Sequence, residues 1–144
     1  MRLWLARLLL ALCALAPLAA AAQGTGEFDA FWTAFREAVQ SDDTEAVAAF
    51  ARFPLAVNGT NDGDEPRKVA QDTFADEWPR WLAQNSGIAE TPESLRDAVL
   101  RSEAAAILAR GPNRRTSGRA VRFSSLYFEK LGGHWRLTRI YEDR

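Results

Sequence analysis

The chain has 144 residues, room for one domain, and a net charge of −1 from 18 basic and 19 acidic residues. That balance excludes a polybasic nucleic-acid binder. One cysteine, Cys13, and one histidine, His134, exclude an internal disulfide and a Cys- or His-rich metal site, so no metal and no cofactor are expected.

Arg2 and Arg7 precede an apolar run from Leu8 to Ala22 that ends in Ala20-Ala21-Ala22. A positive start, a short apolar stretch and small residues at the end are the parts of a cleavable export signal. The run falls short of the ~20 apolar residues of a spanning helix, which disfavours an uncleaved anchor. Leu12 stands before Cys13 where a lipidated cysteine needs a small residue, so lipidation is not expected. The expected organisation is a signal peptide over residues 1–22 and a single domain over 23–144. Its compartment is then the periplasm or the medium, with no stable membrane insertion after cleavage. Losing Arg2 and Arg7 while keeping all 19 acidic residues moves the net charge to about −3. Cys13 leaves with the same segment, so the remaining domain has no thiol.

Gln23 to Gly26 reads as a polar linker. Phe28, Phe31, Trp32, Phe35 and Val39 recur at helical spacing, which predicts a first helix over Glu27–Gln40. Asp42 followed by Glu45 resembles a capping box for a second helix from Thr44 to about Ala51, with Val47 and Phe50 inward. Phe53, Leu55 and Val57 alternate as in a strand, and Pro54 restricts it to a strand start or an edge. Asn58-Gly59 turns the chain into a polar loop, and Lys68–Ala70 reads as a brief strand. A third helix begins near Asp72 with Phe74, Trp78, Trp81 and Leu82 on one side, and Pro79 should kink or end it. Thr91-Pro92-Glu93 reads as the start of a fourth helix with Leu95, Ala98 and Val99 inward. Ala104–Arg110 suits either a helix or a buried strand. Val121–Lys130 and Trp135–Glu142 read as a hairpin turned by Leu131–His134. In that reading Val121, Phe123, Ser125 and Tyr127 share one face, and Leu126 and Phe128 the other. Helices followed by strands give the class α+β.

Phe31-Trp32-x-x-Phe35, the short second helix, Phe53-Pro54-Leu55-x-Val57, Phe74 and the closing Trp135-Arg136-Leu137 carry a family likeness. Together they resemble small exported members of the nuclear transport factor two-like (SnoaL-like) superfamily, over most of residues 23–144. The resemblance implies N-terminal helices packed on a curved antiparallel sheet, cone-like around an apolar pocket and ending in a β-hairpin. It also implies that Ala104–Arg110 is a strand. It does not imply a function, because one fold hosts enzymes, binding modules and partner-docking domains. Isomerase-type members carry a Tyr in the first helix. Here that stripe offers only Phe and Trp, which argues against their mechanism.

Several residues are candidates for chemistry. Trp78 and Trp81 flank Pro79 and, with Tyr127, are the candidate lining of a ligand pocket, the alternative being core packing. Arg114, Arg115 and Arg119 lie in a basic loop with Arg110 and Arg122, a candidate surface for an anion or acidic partner, the alternative being a solvated loop. His134 sits in a Gly-Gly turn with nothing nearby in sequence to orient its ring. In the Asn58–Glu65 loop, a calcium-loop pattern laid from Asn58 puts Gly63 at its glycine but Val69 where a bidentate Glu is required, so a solvated loop is expected. The leading expectation is an exported non-catalytic domain that binds a small apolar ligand or a protein partner. The alternatives are a cone-fold isomerase or dehydratase using Glu129, Tyr127 or His134, and an interaction module that forms homodimers.

Overall fold

The computed structural model describes residues 16–59, 61, 63–109 and 118–142, with side chains from residue 26 onward. Helix α1 spans Ala16–Gln40 and is followed by α2 (Thr44–Ala48), β1 (Ala51–Asn58), β2 (Arg67–Val69) and α3 (Gln71–Ala83). Then come α4 (Leu95–Arg101), α5 (Ala104–Ala109), β3 (Ala120–Phe123), β4 (Leu126–Leu131) and β5 (His134–Tyr141). The class is α+β, as the sequence predicts.

The strands form one five-stranded sheet in the order β2-β1-β5-β4-β3. It is mixed and not closed into a barrel, which corrects the expected antiparallel sheet. The cause is β1, which pairs antiparallel with β2 but parallel with β5, with Val57 opposite Ile140 and Asn58 opposite Tyr141. Pro54 lacks an N–H for either ladder. It falls inside a register shift between Ala51 and Ala56, before the β2 pairing begins at Leu55.

The expected single arm Val121–Lys130 is two strands. They turn at Ser124-Ser125, where Ser124 takes φ +54°, unusual for a side chain larger than Gly. The two-residue turn inverts the phase of alternation. Phe123 pairs with Leu126 and Val121 with Phe128, and all four are buried on the same face. The expected grouping of Val121 and Phe123 with Tyr127 is thereby overturned. A second turn at Gly132-Gly133 uses φ of +55° and +84°, conformations open to glycine.

The aromatic stripe of α1 meets this inner face. Phe28 lies 5.0 Å from Trp135 and 6.5 Å from Phe128 between ring centroids, and Trp32 lies 5.1 Å from Phe123. Each buried ring removes roughly 150–250 Å² from water. At ~25 cal/mol/Å² that gives an upper bound of about 4–6 kcal/mol per ring. Trp32 Nε1 also donates to the Ser102 carbonyl (2.8 Å), and Arg36 Nη2 donates to the Leu100 carbonyl (2.7 Å). These bonds tie α1 to the end of α4.

Several expected boundaries shift for local reasons. Gln23–Gly26 lies within α1, not in a linker, because the alanines before it are the strongest helix formers. Asp43, not Asp42, caps α2 by accepting the Ala46 N–H (3.0 Å), and α2 stops at Ala48. α3 runs through Pro79. An interior proline costs about 3 kcal/mol, less than the burial of Trp78, Trp81 and Leu82 around it returns. α4 starts at Leu95 behind Ser94, whose hydroxyl accepts the Asp97 N–H (3.1 Å) and donates to the Asp97 carboxylate (2.7 Å). The Thr91 cap is thus displaced by a Ser94 cap three residues on. Ala104–Ala109 is the helix α5, which overturns the strand implied by the family resemblance. Alanine favours helix over strand, and the buried Ala104 and Ile107 stand at helical spacing.

Candidate functional site

Below the sheet the volume between helices and strands is taken up by packed rings and aliphatic side chains. Trp78 and Trp81 both belong to it, stacked or tilted against Phe74 at 5.3 Å and 5.9 Å. Glu142, which follows β5, is the one buried carboxylate among the described residues. It accepts from Trp81 Nε1 (2.7 Å), Arg80 Nη2 (2.7 Å) and Arg67 Nη2 (3.1 Å). Arg67 in turn grips Glu77 through two bonds of 2.7 Å and 2.6 Å. Burial pushes the Glu142 carboxyl up, but the Trp81 hydrogen bond and the charges of Arg80 and Arg67 outweigh it, so its pKa lies below the ordinary value. This carboxylate is ionised and locked, a structural strut between β5 and α3.

Trp78 also floors a cleft of about 100 Å³ with Val39, Val47 and Leu82. Toward solvent a cleft of about 430 Å³ shares Asp42, Pro79 and Leu82 with it and adds Ser94, Arg96 and Asp97. Asp42 stands there at φ +54° and pairs with Arg96 (3.1 Å). Trp81 and Tyr127 line neither of these two clefts.

The opposite face of the sheet is different in kind. Residues paired across a ladder point to the same side. Arg122 of β3 pairs with Tyr127 of β4, Tyr127 with Arg139 of β5, Arg139 with Ala56 of β1, and Ala56 with Lys68 of β2. One row therefore crosses all five strands. Glu129 and Arg136 pair in a neighbouring row. Tyr141 pairs with Asn58 and bonds through its N–H to the Ser125 carbonyl (2.9 Å) in a third. A bulge at Thr138 lets Arg136, Arg139 and Tyr141 share this face despite their uneven spacing. The guanidinium of Arg122 lies 4.3 Å from the Tyr141 ring centroid, and that of Arg139 lies 5.9 Å from Tyr127. Burial, then the charge of Glu129, raises the Tyr127 pKa above 10.0, so its hydroxyl stays protonated at neutral pH. Glu129 accepts from the Thr138 hydroxyl (2.6 Å). Among the described residues, every ring contact between helix and sheet falls on the inner face and none on this one.

The remaining candidates are scattered. Arg119 is exposed beside β3, and its carbonyl accepts from the Lys130 N–H (2.8 Å). Arg114 and Arg115 lie outside the described residues. His134 is exposed at the start of β5. In the acidic loop Asn61 donates to Asp64 (3.2 Å), and Asp62 lies outside the described residues. No three His, Cys, Asp or Glu side chains come together as metal ligands among the described residues, and no described helix is long and apolar enough to cross a membrane. Sequence reasoning missed Arg136, Arg139 and Tyr141. Their signal was the period-two pattern of β5, which the bulge at Thr138 breaks. Comparison of the chain with family models, curated proteins and solved structures found no match.

Proposed function

We propose that this chain is an exported, non-catalytic domain that docks a protein partner on the outer face of its sheet. The observation that carries the reading is the contrast between the two faces. The inner face is filled with rings and its buried carboxylate is committed to Trp81, Arg80 and Arg67. The outer face displays half-buried Tyr and Arg side chains, the types that dominate protein-binding hot spots. Of the acid-base candidates, Tyr127 and Glu129 lie on this open face, His134 is exposed at its end, and none lines a described cleft. The register shifts in β1 and β5 are irregularities of the kind that bend a sheet, which supports the cone-like wrap of the nuclear transport factor two-like superfamily.

The test is a photo-crosslinking amino acid placed at Arg136 on the outer face or at the exposed Glu37 of α1, in the cell that exports the protein. Docking predicts a crosslinked protein species from position 136 and none from position 37. Equal yields from both positions would refute it. A second reading, a small apolar ligand, is favoured by the Trp78 cleft. There a panel of short-chain acids and small aromatics would raise the melting temperature of the protein, and Val47→Trp would abolish the rise by filling the cleft.

A further inference from the structure

We propose that the outer sheet face binds an acidic, extended segment of its protein partner, with carboxylates seated on Arg122, Arg139 and Lys68. This inference rests on the docking reading above and names the chemistry of the partner.

Charge pairing sets this face apart. Most other described cations are matched: Arg36 holds Glu103, Arg67 and Arg80 each hold Glu77 and Glu142, Arg96 holds Asp42, Arg101 holds Glu93 and Lys130 holds Glu27, whereas Arg52 and Arg119 stand singly with no carboxylate among the described residues. Arg122, Arg136, Arg139 and Lys68 hold no carboxylate among the described residues, and Glu129 is the one acid in the rows they form. A chain with net charge −1 thus gathers four unmatched cations on one face of its sheet. Such a surface accelerates encounter with an acidic partner and suppresses encounter with a basic one.

Geometry adds a spacing. Adjacent strands lie ~4.8 Å apart, so Arg122, Arg139 and Lys68, each two strands from the next, stand at intervals of ~10 Å. A polyproline-II segment advances ~3.1 Å per residue with three residues per turn, so every third side chain falls on one face at ~9 Å intervals. A segment crossing the strands would therefore meet one cation at every third residue. Between the cations lie Tyr127 and the small Ala56, which let a backbone approach. The Arg122 guanidinium lies over the Tyr141 ring and that of Arg139 over the Tyr127 ring. The Arg122 Nε–H donates to the Ser124 carbonyl (2.9 Å), which leaves its two terminal nitrogens for a two-pronged bond to carboxylate. The row ends at β3 beside a cleft of about 350 Å³ lined by Ile88, Ile107, Phe123, Ser124 and Arg122 itself. That cleft takes an apolar side chain next to the carboxylate held by Arg122.

Other occupants fit less well. Two copies meeting through this face by a two-fold axis would set the same unmatched cations against each other. Anionic membranes are gripped by clusters of Lys and Arg at chain ends and helix faces, whereas three of the four cations here are arginines spread across a sheet, two of them over Tyr rings.

The probe is a fluorescein-labelled synthetic peptide with Glu at every third position and a terminal Leu, titrated with the exported protein by fluorescence anisotropy. Expected is saturable binding that weakens as sodium chloride is raised. The same peptide with Gln for Glu should bind at least about tenfold more weakly. Arg122→Ala with Arg139→Ala should lose a similar factor, while Arg96→Ala on the helical side changes nothing. Arg139→Lys, which keeps the charge but loses the fork, should fall between. Circular dichroism of each variant checks that the sheet survives. Equal binding of the Glu and Gln peptides, an unchanged affinity in the double variant, preferred binding to anionic vesicles, or a dimer dissociated by Arg139→Glu would each overturn the proposal. If position 136 still crosslinks a protein while the Glu peptide fails to bind, the acidic partner is refuted and docking stands. If both fail, docking falls too.

Discussion

Two buried tryptophans in this protein should respond unequally to the same substitution. Trp32 and Trp135 both pack against Phe28, and both are almost wholly buried. Trp32 Nε1 donates to the Ser102 carbonyl at 2.8 Å, whereas Trp135 Nε1 is buried with no hydrogen-bond partner. Replacing either by Phe removes a similar volume and a similar transfer free energy, about 1–2 kcal/mol with the residual cavity. Trp32→Phe additionally strands a buried carbonyl, at about 1–3 kcal/mol. Trp135→Phe instead removes an unpaired buried donor, which offsets most of its lost volume by about the same amount. Trp32→Phe should therefore be the less stable variant by at least about 2 kcal/mol. At roughly 3 °C per kcal/mol for a domain of this size, that is a gap of about 6 °C in melting temperature. Differential scanning calorimetry of the two variants measures it. Melting temperatures within 1 °C of each other, or the reverse order, would refute the hydrogen-bond argument.

Trp135→Ala should cost about 3–5 kcal/mol and yield little soluble protein, while His134→Ala, one residue earlier and exposed, stays within about 0.5 kcal/mol in urea titrations. The Glu77 and Glu142 carboxyls lie below their usual value of 4.5. The stability they contribute is present above that value and lost as the pH falls through the folded values. The melting temperature should hold between about pH 7 and 5 and then drop, with a shallower drop in Glu142→Gln; an equally steep drop in that variant would count against the ionised strut. Intact-mass measurement of protein recovered from the periplasm or medium should place the N-terminus at Gln23. Full-length protein in the membrane fraction would contradict the export signal.

What the sequence made legible was local. The stripe Phe28, Trp32, Phe35 and Val39, the α3 set Phe74, Trp78, Trp81 and Leu82, and the α4 set Leu95, Ala98 and Val99 are all buried where helical spacing put them. Such spacing is a property of one segment and needs no partner to be read. The split between β3 and β4 was hidden because Ser124-Ser125 turns without Gly or Pro. The α5 helix was hidden because a short run such as Ala104–Ala109 has the length of a buried strand as well as that of a helix. For the site, Arg122 and Tyr127 drew notice as single residues. Their grouping with Arg139, Ala56 and Lys68 depends on cross-strand register between β1 and β5, two segments about eighty residues apart. No periodicity within either strand encodes that pairing.

The parallel pairing of β1 with β5 also sets the order in which the molecule can be assembled. β1 finds its central neighbour in β5, about eighty residues further along, so that ladder cannot close until β5 has been made. The β1–β2 pair and the β3–β4–β5 meander are short-range and form early. Joining them closes a long loop and is the slow event, as in other domains with high contact order. Until then both halves show unpaired strand edges of the kind that aggregate. Removing even the last few residues of β5 would therefore leave β1, about eighty residues away in sequence, with little more than a three-residue partner.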